Sequence, residues 1–187
     1  MNLFNDLTKE GTLLQKENIT VRFEASILPH LDAAYNLARW LTRDPADADD
    51  VVQEAYLRAF KFFDGFHGGD SRSWILKIVR NTCYSWLQKN RGHEIITEFD
   101  DEQHSTESLD PEAVLIGKID NLMLKGLIEE LPLEFREIVI LRELEGMSYK
   151  EIADIADLPL GTVMSRLARA RKRLQTGLAS YLKGELK

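Results

Sequence analysis

Two short helices joined by a tight turn are specified by the stretch from Ser148 to Arg173, which constrains the fold more than any other part of the chain. Ser148 is followed three residues later by Glu151, which is the capping-box pattern of a helix start. Pro159 ends that helix after about two turns and suits the first turn of the next helix, which we expect to begin near Leu160. The pattern predicts a helix-turn-helix.

The second of these helices carries two stripes of side chains with different character. The apolar stripe predicts burial and consists of Val163, Leu167, Ala170 and Leu174. The adjacent stripe is polar and basic and consists of Thr162, Arg166, Arg169 and Arg173, with Arg171 and Lys172 widening the positive face. A basic second helix of this kind fits the major groove of DNA. The alternative is a basic surface helix on an ordinary helical bundle.

The charge of the chain is distributed in blocks. A net charge of −7 over 187 residues argues against a nucleic-acid partner only where the charge is evenly spread. From Leu160 to the last residue Glu185 is the only acid, and residues 71–93 carry five Lys or Arg and no acid. Residues 44–54 and 97–112 carry five and seven acids, respectively, and no base. The basic blocks are therefore suited to an anionic partner despite the negative net charge.

Apolar residues at helical spacing and helix-start signals run through most of the remaining chain. Asp44 followed by Pro45 is a strong start signal, because the aspartate caps free N–H groups and the proline suits the first turn. The predicted helices run from about Val21 to Thr42 with a break at Pro29, from Pro45 to about Phe63, from Ser71 to Arg91, from Pro111 to about Leu131 and from Pro132 to Gly146. We therefore predict an all-α protein.

Residues 93–110 separate two groups of predicted helices. They combine poor periodicity with dense acidic charge, which is the composition of an exposed, flexible linker. We predict one small helical domain at 20–92 and a second at 111–187, in which four short helices end with the helix-turn-helix. Residues 1–19 are polar and weakly patterned, and we expect them to form a partly ordered leader.

Patterns typical of enzymes and metal sites are weak in this chain. The acidic residues from Asp44 to Glu54 lack the central glycine and alternating spacing of a calcium loop. The four histidines lie far apart and Cys83 is the one cysteine, so we expect no metal, no cofactor, no internal disulfide and no catalytic site. The N-terminal residues lack a signal-peptide pattern, and no apolar run approaches the roughly 18 residues that span a bilayer. We expect a cytoplasmic protein without membrane insertion.

The segment from Ser71 to Arg91 interleaves aromatic and basic side chains. This mixture suits single-stranded nucleic acid, because aromatic rings stack on unpaired bases, at about 1–3 kcal/mol per base, while cations follow the phosphates. Ordinary core packing is the alternative interpretation of the aromatic residues. Both interpretations stay open for Trp74 and Trp86.

Four segments, taken in order, resemble the bacterial alternative sigma factors of the extracytoplasmic-function group. They are DPADADDVVQEAYLRAFKFFDGF, the basic SRSWILKIVRNTCYSWLQKNR, the acidic linker, and LPLEFREIVILRELEGMSYKEIADIADLPLGTVMSRLARARKRL. The resemblance covers roughly residues 22 to 178. It implies a sigma-2 helical bundle and a sigma-4 helix-turn-helix domain, and a protein that binds RNA polymerase core and directs it to promoters.

The resemblance also implies roles for individual positions. The set implied to bind the coiled-coil clamp of the polymerase beta-prime subunit is Asp47, Asp49, Asp50, Val51, Gln53, Glu54, Leu57, Arg58 and Phe60. The set implied to open the minus-10 element, together with the loop from Gly65 to Asp70, is Arg72, Trp74, Lys77, Arg80, Asn81, Tyr84 and Trp86. The set implied to contact the minus-35 element is Thr162, Ser165, Arg166, Arg169, Arg171 and Arg173. The polymerase beta flap and an anti-sigma factor are further implied partners.

A free-standing transcriptional regulator is the competing hypothesis. In that case the C-terminal domain binds duplex DNA while the N-terminal domain senses a signal or dimerises. The second basic segment with its aromatic residues, and an N-terminal domain without a ligand-pocket signal, favour the sigma factor.

Overall fold

The computed structural model describes residues 18–91 and 121–184. All regular secondary structure in these two ranges is helical, which confirms the predicted all-α class. The linker predicted at 93–110 and the helix start predicted at Pro111 lie outside the described residues, as does the predicted leader except for residues 18 and 19.

Residues 18–91 contain four α-helices. Helix α1 covers residues 18–27, and a 3₁₀ turn at Leu28–His30 separates it from α2 at Leu31–Thr42. Helix α3 spans Pro45–Phe62, a second 3₁₀ turn spans Phe63–Gly65, and α4 spans Ser71–Arg91. The break predicted at Pro29 is confirmed, because this proline lies in the first turn of the 3₁₀ segment.

The start of α3 follows the local chemistry of its first residues. Arg43 adopts a left-handed conformation (φ 65°), which ends α2 and turns the chain. The Asp44 carboxylate then accepts hydrogen bonds from the backbone N–H groups of Ala46 at 2.8 Å and Asp47 at 3.1 Å. These contacts satisfy donors that the helix itself cannot satisfy, and they confirm the predicted cap.

Small side chains allow α2 and α3 to pack closely. The buried positions that the two helices contribute are Ala34, Leu37, Ala38, Leu41, Ala48, Val51, Val52, Ala55 and Ala59. Helix α1 adds Phe23, whose ring makes edge contacts with Phe60 and Phe63, both at 5.2 Å between centroids. The Tyr56 hydroxyl donates to the Ile27 carbonyl oxygen at 3.4 Å, which joins α3 to the end of α1.

The C-terminal part contains four more helices: α5 at Asn121–Glu130, α6 at Leu133–Val139, α7 at Tyr149–Ala156 and α8 at Leu160–Leu182. Helix α6 continues into a π turn at Ile140–Leu144, and Gly146 (φ 66°) ends this segment as predicted. The buried Arg136 guanidinium donates to the Glu129 carbonyl oxygen at 2.7 Å and so caps the end of α5.

The helix-turn-helix is formed by α7 and α8. Ser148 Oγ accepts from the Glu151 N–H at 3.2 Å, while a Glu151 carboxylate oxygen accepts from the Ser148 N–H at 2.6 Å, so the predicted capping box is confirmed. Asp157 (φ 57°) ends α7 in the left-handed region. Helix α8 has 23 residues, so our expectation that it is short is wrong. The helix continues because none of its residues supplies a stop signal before Gly184 (φ 75°).

The described residues form two compact units divided after Tyr84, within α4. In the first unit, the core is formed by the buried side chains of α1, α2, α3 and the part of α4 that ends at Tyr84. The core of the second unit includes Phe135, Ile138, Ile152, Ile155, Val163, Leu167 and Ala170. Three members of the apolar stripe predicted on α8 are therefore buried, and Leu174 is half-buried.

Candidate nucleic-acid interface

The second helix of the helix-turn-helix presents only some of its basic side chains to solvent. Arg166 points into the unit: its side chain is 18% exposed, and Nη1 lies 3.8 Å from Oε1 of Glu137, whose side chain is 0% exposed. Arg169 is half-buried, whereas Arg171 and Arg173 are exposed. The stripe predicted from spacing alone is thus divided between the interior and the surface.

The two exposed arginines of α8 contact groups on the preceding segment. Arg171 Nη2 donates to Glu143 Oε1 at 2.6 Å, and both side chains are about half exposed, at 48% and 47%. The Arg173 guanidinium lies over the Phe135 ring, 5.2 Å from its centroid, which is a cation–π geometry. These contacts orient both guanidinium groups while leaving part of each accessible to an anion.

The solvent-facing side of α8 includes residues that the sequence analysis missed. Thr162 is half-buried and its carbonyl oxygen accepts from the exposed Ser165 hydroxyl at 3.0 Å. Met164 and Ala168 are exposed on the same side as Ser165. They were missed because neither is charged, although their positions opposite the apolar stripe follow from the 3.6-residue helical period.

Helix α4 carries a polar and aromatic stripe on the side opposite its buried residues. Lys77, Asn81 and Tyr84 follow one another at intervals of four and three residues, so they share one face. The Arg80 guanidinium lies 4.2 Å from the centroid of the Tyr84 ring and donates to Asn81 Oδ1 at 3.3 Å. The fold therefore brings four of the predicted minus-10 residues together as one cationic and aromatic strip.

The two tryptophans of α4 differ in position. Trp74 is half-buried and contacts two rings, Phe66 at 4.9 Å and Phe63 at 6.3 Å between centroids. Trp86 follows Val79 by seven residues and Thr82 by four, which places it on the stripe of α4 that carries buried side chains. Packing thus involves Trp74 directly, whereas the register of Trp86 separates it from the face of Lys77 and Tyr84.

The loop before α4 is held by a capping aspartate. Gly68 (φ 94°) and Gly69 (φ 106°) turn the chain, and Asp70 Oδ1 accepts from the Arg72 N–H at 3.0 Å. The other Asp70 oxygen accepts from the Ser73 hydroxyl, and this hydrogen bond holds the pKa of Asp70 below its usual value. His30 Nε2 lies 2.9 Å from Ser71 Oγ, and partial burial, followed by the nearby Arg72 charge, lowers the pKa of His30.

Helix α3 presents an acidic and apolar face to solvent. Asp49, Asp50, Gln53 and Glu54 are exposed along its first half, and Leu57 (63%) and Phe60 (45%) are exposed along its second half. Arg58 Nε donates to Glu54 Oε1 at 2.7 Å. Val51 is 1% exposed, so this residue belongs to the core and cannot form part of a surface; our assignment of Val51 to a contact surface is not supported by its position. Asp47 is half-buried.

Within the two described ranges, no group of three or more His, Cys, Asp or Glu side chains could hold a metal ion. Cys83 is buried in α4. None of the helices in these ranges has both the length and the apolar character needed to cross a bilayer. The features that stand out as candidate binding sites are therefore the charged and aromatic faces of α3, α4 and α8.

Two family models match the chain in the order in which these faces occur. The model described as Sigma-70 region 2 matches residues 27–93, which include α3 and α4. The model described as Sigma-70, region 4 matches residues 121–174, which include the helix-turn-helix.

Curated proteins and solved structures with similar chains agree with these matches. The ECF RNA polymerase sigma factor SigE of Mycolicibacterium smegmatis is 32% identical over 155 residues, which are 81% of this chain but 60% of that protein. The ECF RNA polymerase sigma-E factor of Escherichia coli K12 is 35% identical over 137 residues, 68% of this chain and 72% of that protein. The sigma factor RpoE of Bartonella quintana, solved in complex with the anti-sigma factor NepR, matches with a TM-score of 0.66 and 32% identity, over 84% of this chain and 97% of that one. The chain belongs to the ECF family of RNA polymerase sigma factors.

Proposed function

We propose that this protein binds the core of RNA polymerase and directs it to a specific set of promoters. The observation that carries this proposal is that one chain contains both sigma-70 regions, in order, and that the second of them folds as a helix-turn-helix. A free-standing regulator needs only the helix-turn-helix, so this hypothesis assigns no binding partner to the acidic face of α3 or to the strip on α4. The sigma factor gives each of these surfaces a partner.

The domain assignment follows the same logic. We assign residues 20–92 to a sigma-2 domain, 93–110 to the linker and 111–187 to a sigma-4 domain. The family matches at 27–93 and 121–174 support this division. We assign the acidic linker to the polymerase cleft, where its negative charge imitates nucleic acid.

The exposed face of α3 is our candidate for binding the beta-prime clamp. It combines a row of carboxylates with two large apolar side chains, Leu57 and Phe60, which stay 63% and 45% exposed, respectively. An interface typically buries such anchors at its centre and keeps charged groups at its rim. Asp47, Asp49, Asp50, Gln53, Glu54 and Arg58 complete the proposed surface, without the buried Val51. We assign binding of the polymerase beta flap to the second domain.

The strip on α4 is our candidate for handling the melted minus-10 element. Lys77 and Arg80 supply positive charge, Tyr84 supplies a ring and Asn81 supplies an amide for base edges. Extruding a base costs a few kcal/mol, so a site that stacks and hydrogen-bonds the base shifts DNA towards the open state. Arg72 and Trp74 lie at the start of the same helix, beside the glycine-containing loop. We place Trp86 at the edge of this site because of its different register.

The solvent-facing side of α8 is our candidate for reading the minus-35 element as duplex. Ser165 and Arg169 lie where a groove-facing helix presents its side chains, and Thr162 lies in its first turn. Arg171 and Arg173 are suited to phosphates at the margin of the groove, because phosphate contacts position a protein while base contacts give specificity.

We further propose that an anti-sigma factor controls this protein in the cytoplasm. The related RpoE of Bartonella quintana was solved with the anti-sigma factor NepR, and apolar groups on α3 offer a surface for such a partner. The proposed role is recruitment and DNA opening, with the chemistry of RNA synthesis left to the polymerase. Stress or envelope genes are the regulon we propose, as the sigma-E names of the relatives suggest.

Run-off transcription with purified core polymerase tests the central proposal. We expect the full chain to give transcripts with defined start sites, and the core alone to give none. A test of the proposed clamp surface is the Leu57→Asp variant, which alters a side chain that is 63% exposed and is expected to weaken core binding while its helix-turn-helix stays intact. Tight sequence-specific duplex binding by the protein alone, without association with core, would support the regulator instead.

A further inference from the structure

The pair formed by Arg166 and Glu137 differs from the other charged contacts of α8. Glu137 lies in α6 and its side chain is 0% exposed, and Arg166 retains only 18% exposure. A carboxylate removed from water is strongly unfavourable unless a cation or hydrogen-bond donors compensate it. Arg166 Nη1, at 3.8 Å from Glu137 Oε1, contributes to that compensation from a neighbouring helix.

The apolar stripe of α8 sets which side of the helix is buried. Val163, Leu167 and Ala170 are buried on the same side of α8. Arg166 lies beside this stripe, at the boundary between the buried and the exposed sides. A rotation of α8 about its axis would move Arg166 away from Glu137 and would lose their attraction. The pair therefore adds to the apolar stripe in favouring the rotation of α8 that the structure shows.

We propose that Arg166 is a positioning residue, which sets the orientation of α8 on α6 and makes no contact with bases or phosphates. Its guanidinium is directed at Glu137, whereas Ser165 and Met164 beside it are exposed. This inference rests on the proposed minus-35 function and reassigns one of the residues that the resemblance implied for base contact. Arg169 and the exposed Arg171 keep their proposed DNA contacts.

The test compares holoenzymes that carry Arg166→Gln, Glu137→Gln, both substitutions together, or Arg166→Lys. Arg169→Gln is the matched control, since it removes an arginine one turn further along the same helix. Affinity is measured on a promoter and on its single-base variants in the minus-35 element, at several salt concentrations. Circular dichroism and hydrogen exchange of the free proteins report whether the second unit is folded and how stably α8 is held.

We expect Arg166→Gln to weaken binding about tenfold on all promoter variants alike, which is within the range of couplings between contacting residues. The preference among bases and the salt slope should stay as in the wild type, because no DNA contact is lost. The double variant should bind better than the sum of the single losses implies, because it also removes the buried negative charge that Arg166 helps to balance, and Arg166→Lys should restore part of the affinity, because it keeps a cation near Glu137. Arg169→Gln should instead alter base preference or reduce the salt slope by about one unit.

Two results overturn the inference. One is a changed preference at a single base, or a reduced salt slope, in Arg166→Gln. The other is a folded Arg166→Gln holoenzyme with wild-type affinity. If Arg166→Gln does not fold, base preference and salt slope are instead compared between the wild type, the double variant and Arg166→Lys. A wild-type holoenzyme that does not distinguish minus-35 sequences would contradict the proposed function of α8. The coupling between Arg166 and Glu137 is tested separately in the free proteins: it is rejected if the double variant loses as much hydrogen-exchange protection in α8 as the two single variants lose together.

Discussion

Trp74 lies against Phe66 with their ring centroids 4.9 Å apart and 38° between the ring planes. Phe66 in turn stacks on the buried Phe63 at 5.8 Å, so three rings connect the end of the second 3₁₀ turn to the first turn of α4. The loop between them contains Gly68 and Gly69, which contribute no side-chain packing of their own. The contact between Trp74 and Phe66 therefore closes this loop onto the helix that carries the proposed minus-10 strip.

Replacing Trp74 separates its packing role from a role in contacting DNA. We expect Trp74→Ala to lower the free energy of unfolding by about 2–4 kcal/mol, because it removes the indole ring that contacts Phe63 and Phe66. Trp74→Phe retains a ring at this position and should lose much less. Urea denaturation followed by circular dichroism measures both variants.

The phenylalanine variant decides between the two roles. If it unfolds like the wild type but its holoenzyme fails to open promoters, Trp74 contacts the extruded base directly. Normal opening by Trp74→Phe shows that a smaller ring is sufficient at this position and that the indole N–H makes no essential contact with DNA.

Helix starts were predictable from the sequence because their chemistry is local. The Asp44 cap and the Ser148–Glu151 capping box each involve residues no more than three positions apart, and both formed as expected. The break at Pro29 and the end at Gly146 are also local, since proline narrows and glycine widens the range of backbone conformations allowed at its own position.

Contacts between distant parts of the chain were not predictable in this way. Arg166 and Glu137 are 29 positions apart in sequence, and only the packing of α8 on α6 shows that this arginine faces inward. The resemblance implied Val51 as part of a contact surface by position alone, yet this residue packs in the core. The π turn at Ile140–Leu144 has no signature in residue type, because it depends on how the end of α6 is accommodated.

The capping box should matter for the stability of the second unit. We expect Ser148→Ala to lower the free energy of unfolding by about 1 kcal/mol, because the Glu151 N–H loses its acceptor. Ser165→Ala is a matched control: its exposed hydroxyl bonds only to the Thr162 carbonyl oxygen within α8, so little change is expected. Equal losses in thermal denaturation of the two variants would contradict a specific role for the cap.

Glu143 should weaken DNA binding by competing with phosphate for Arg171. We expect Glu143→Gln to change stability by less than about 1 kcal/mol, because both partners are half exposed. Non-specific duplex binding should tighten and become more salt-dependent, since a carboxylate is removed and Arg171 is released. Fluorescence anisotropy at several salt concentrations measures this change. Glu54→Gln, which disrupts a comparable exposed pair with Arg58 in the first unit, should leave duplex binding unchanged.

The two glycines of α8 should respond differently to alanine. A Cβ at Gly177 would lie 2.7 Å from Cδ2 of Leu127 in α5, whereas a Cβ at Gly161 would meet nothing within 4 Å. Gly161→Ala is expected to stabilise the protein by about 0.5 kcal/mol through helix propensity. Gly177→Ala should gain less or lose stability, because Leu127 must move. A larger gain at Gly177 in thermal denaturation would show that α5 and α8 pack less tightly than described.

The stability of the first unit should depend on pH through His30. Partial burial and the positive charge of Arg72 lower the pKa of this imidazole from 6.5, so the folded state binds its proton less readily than the unfolded state does. Its contribution to stability is therefore complete above about pH 6.5 and is lost as the pH falls from there through the pKa of the folded state. Asp70 also has a lowered pKa, but its contribution disappears only below the usual range of carboxylates, at lower pH.

Urea midpoints at about pH 7.5 and pH 5.5 measure this dependence, because few other groups titrate between these values. The wild-type midpoint should fall between the two conditions, and the fall should be smaller in His30→Gln. Glutamine keeps a polar group that can hydrogen-bond to the Ser71 hydroxyl but carries no titrating proton. His67→Gln is the matched control, because this exposed histidine lies in the loop before α4. An equal pH dependence in His30→Gln and the wild type would show that protonation of His30 is not opposed by the fold.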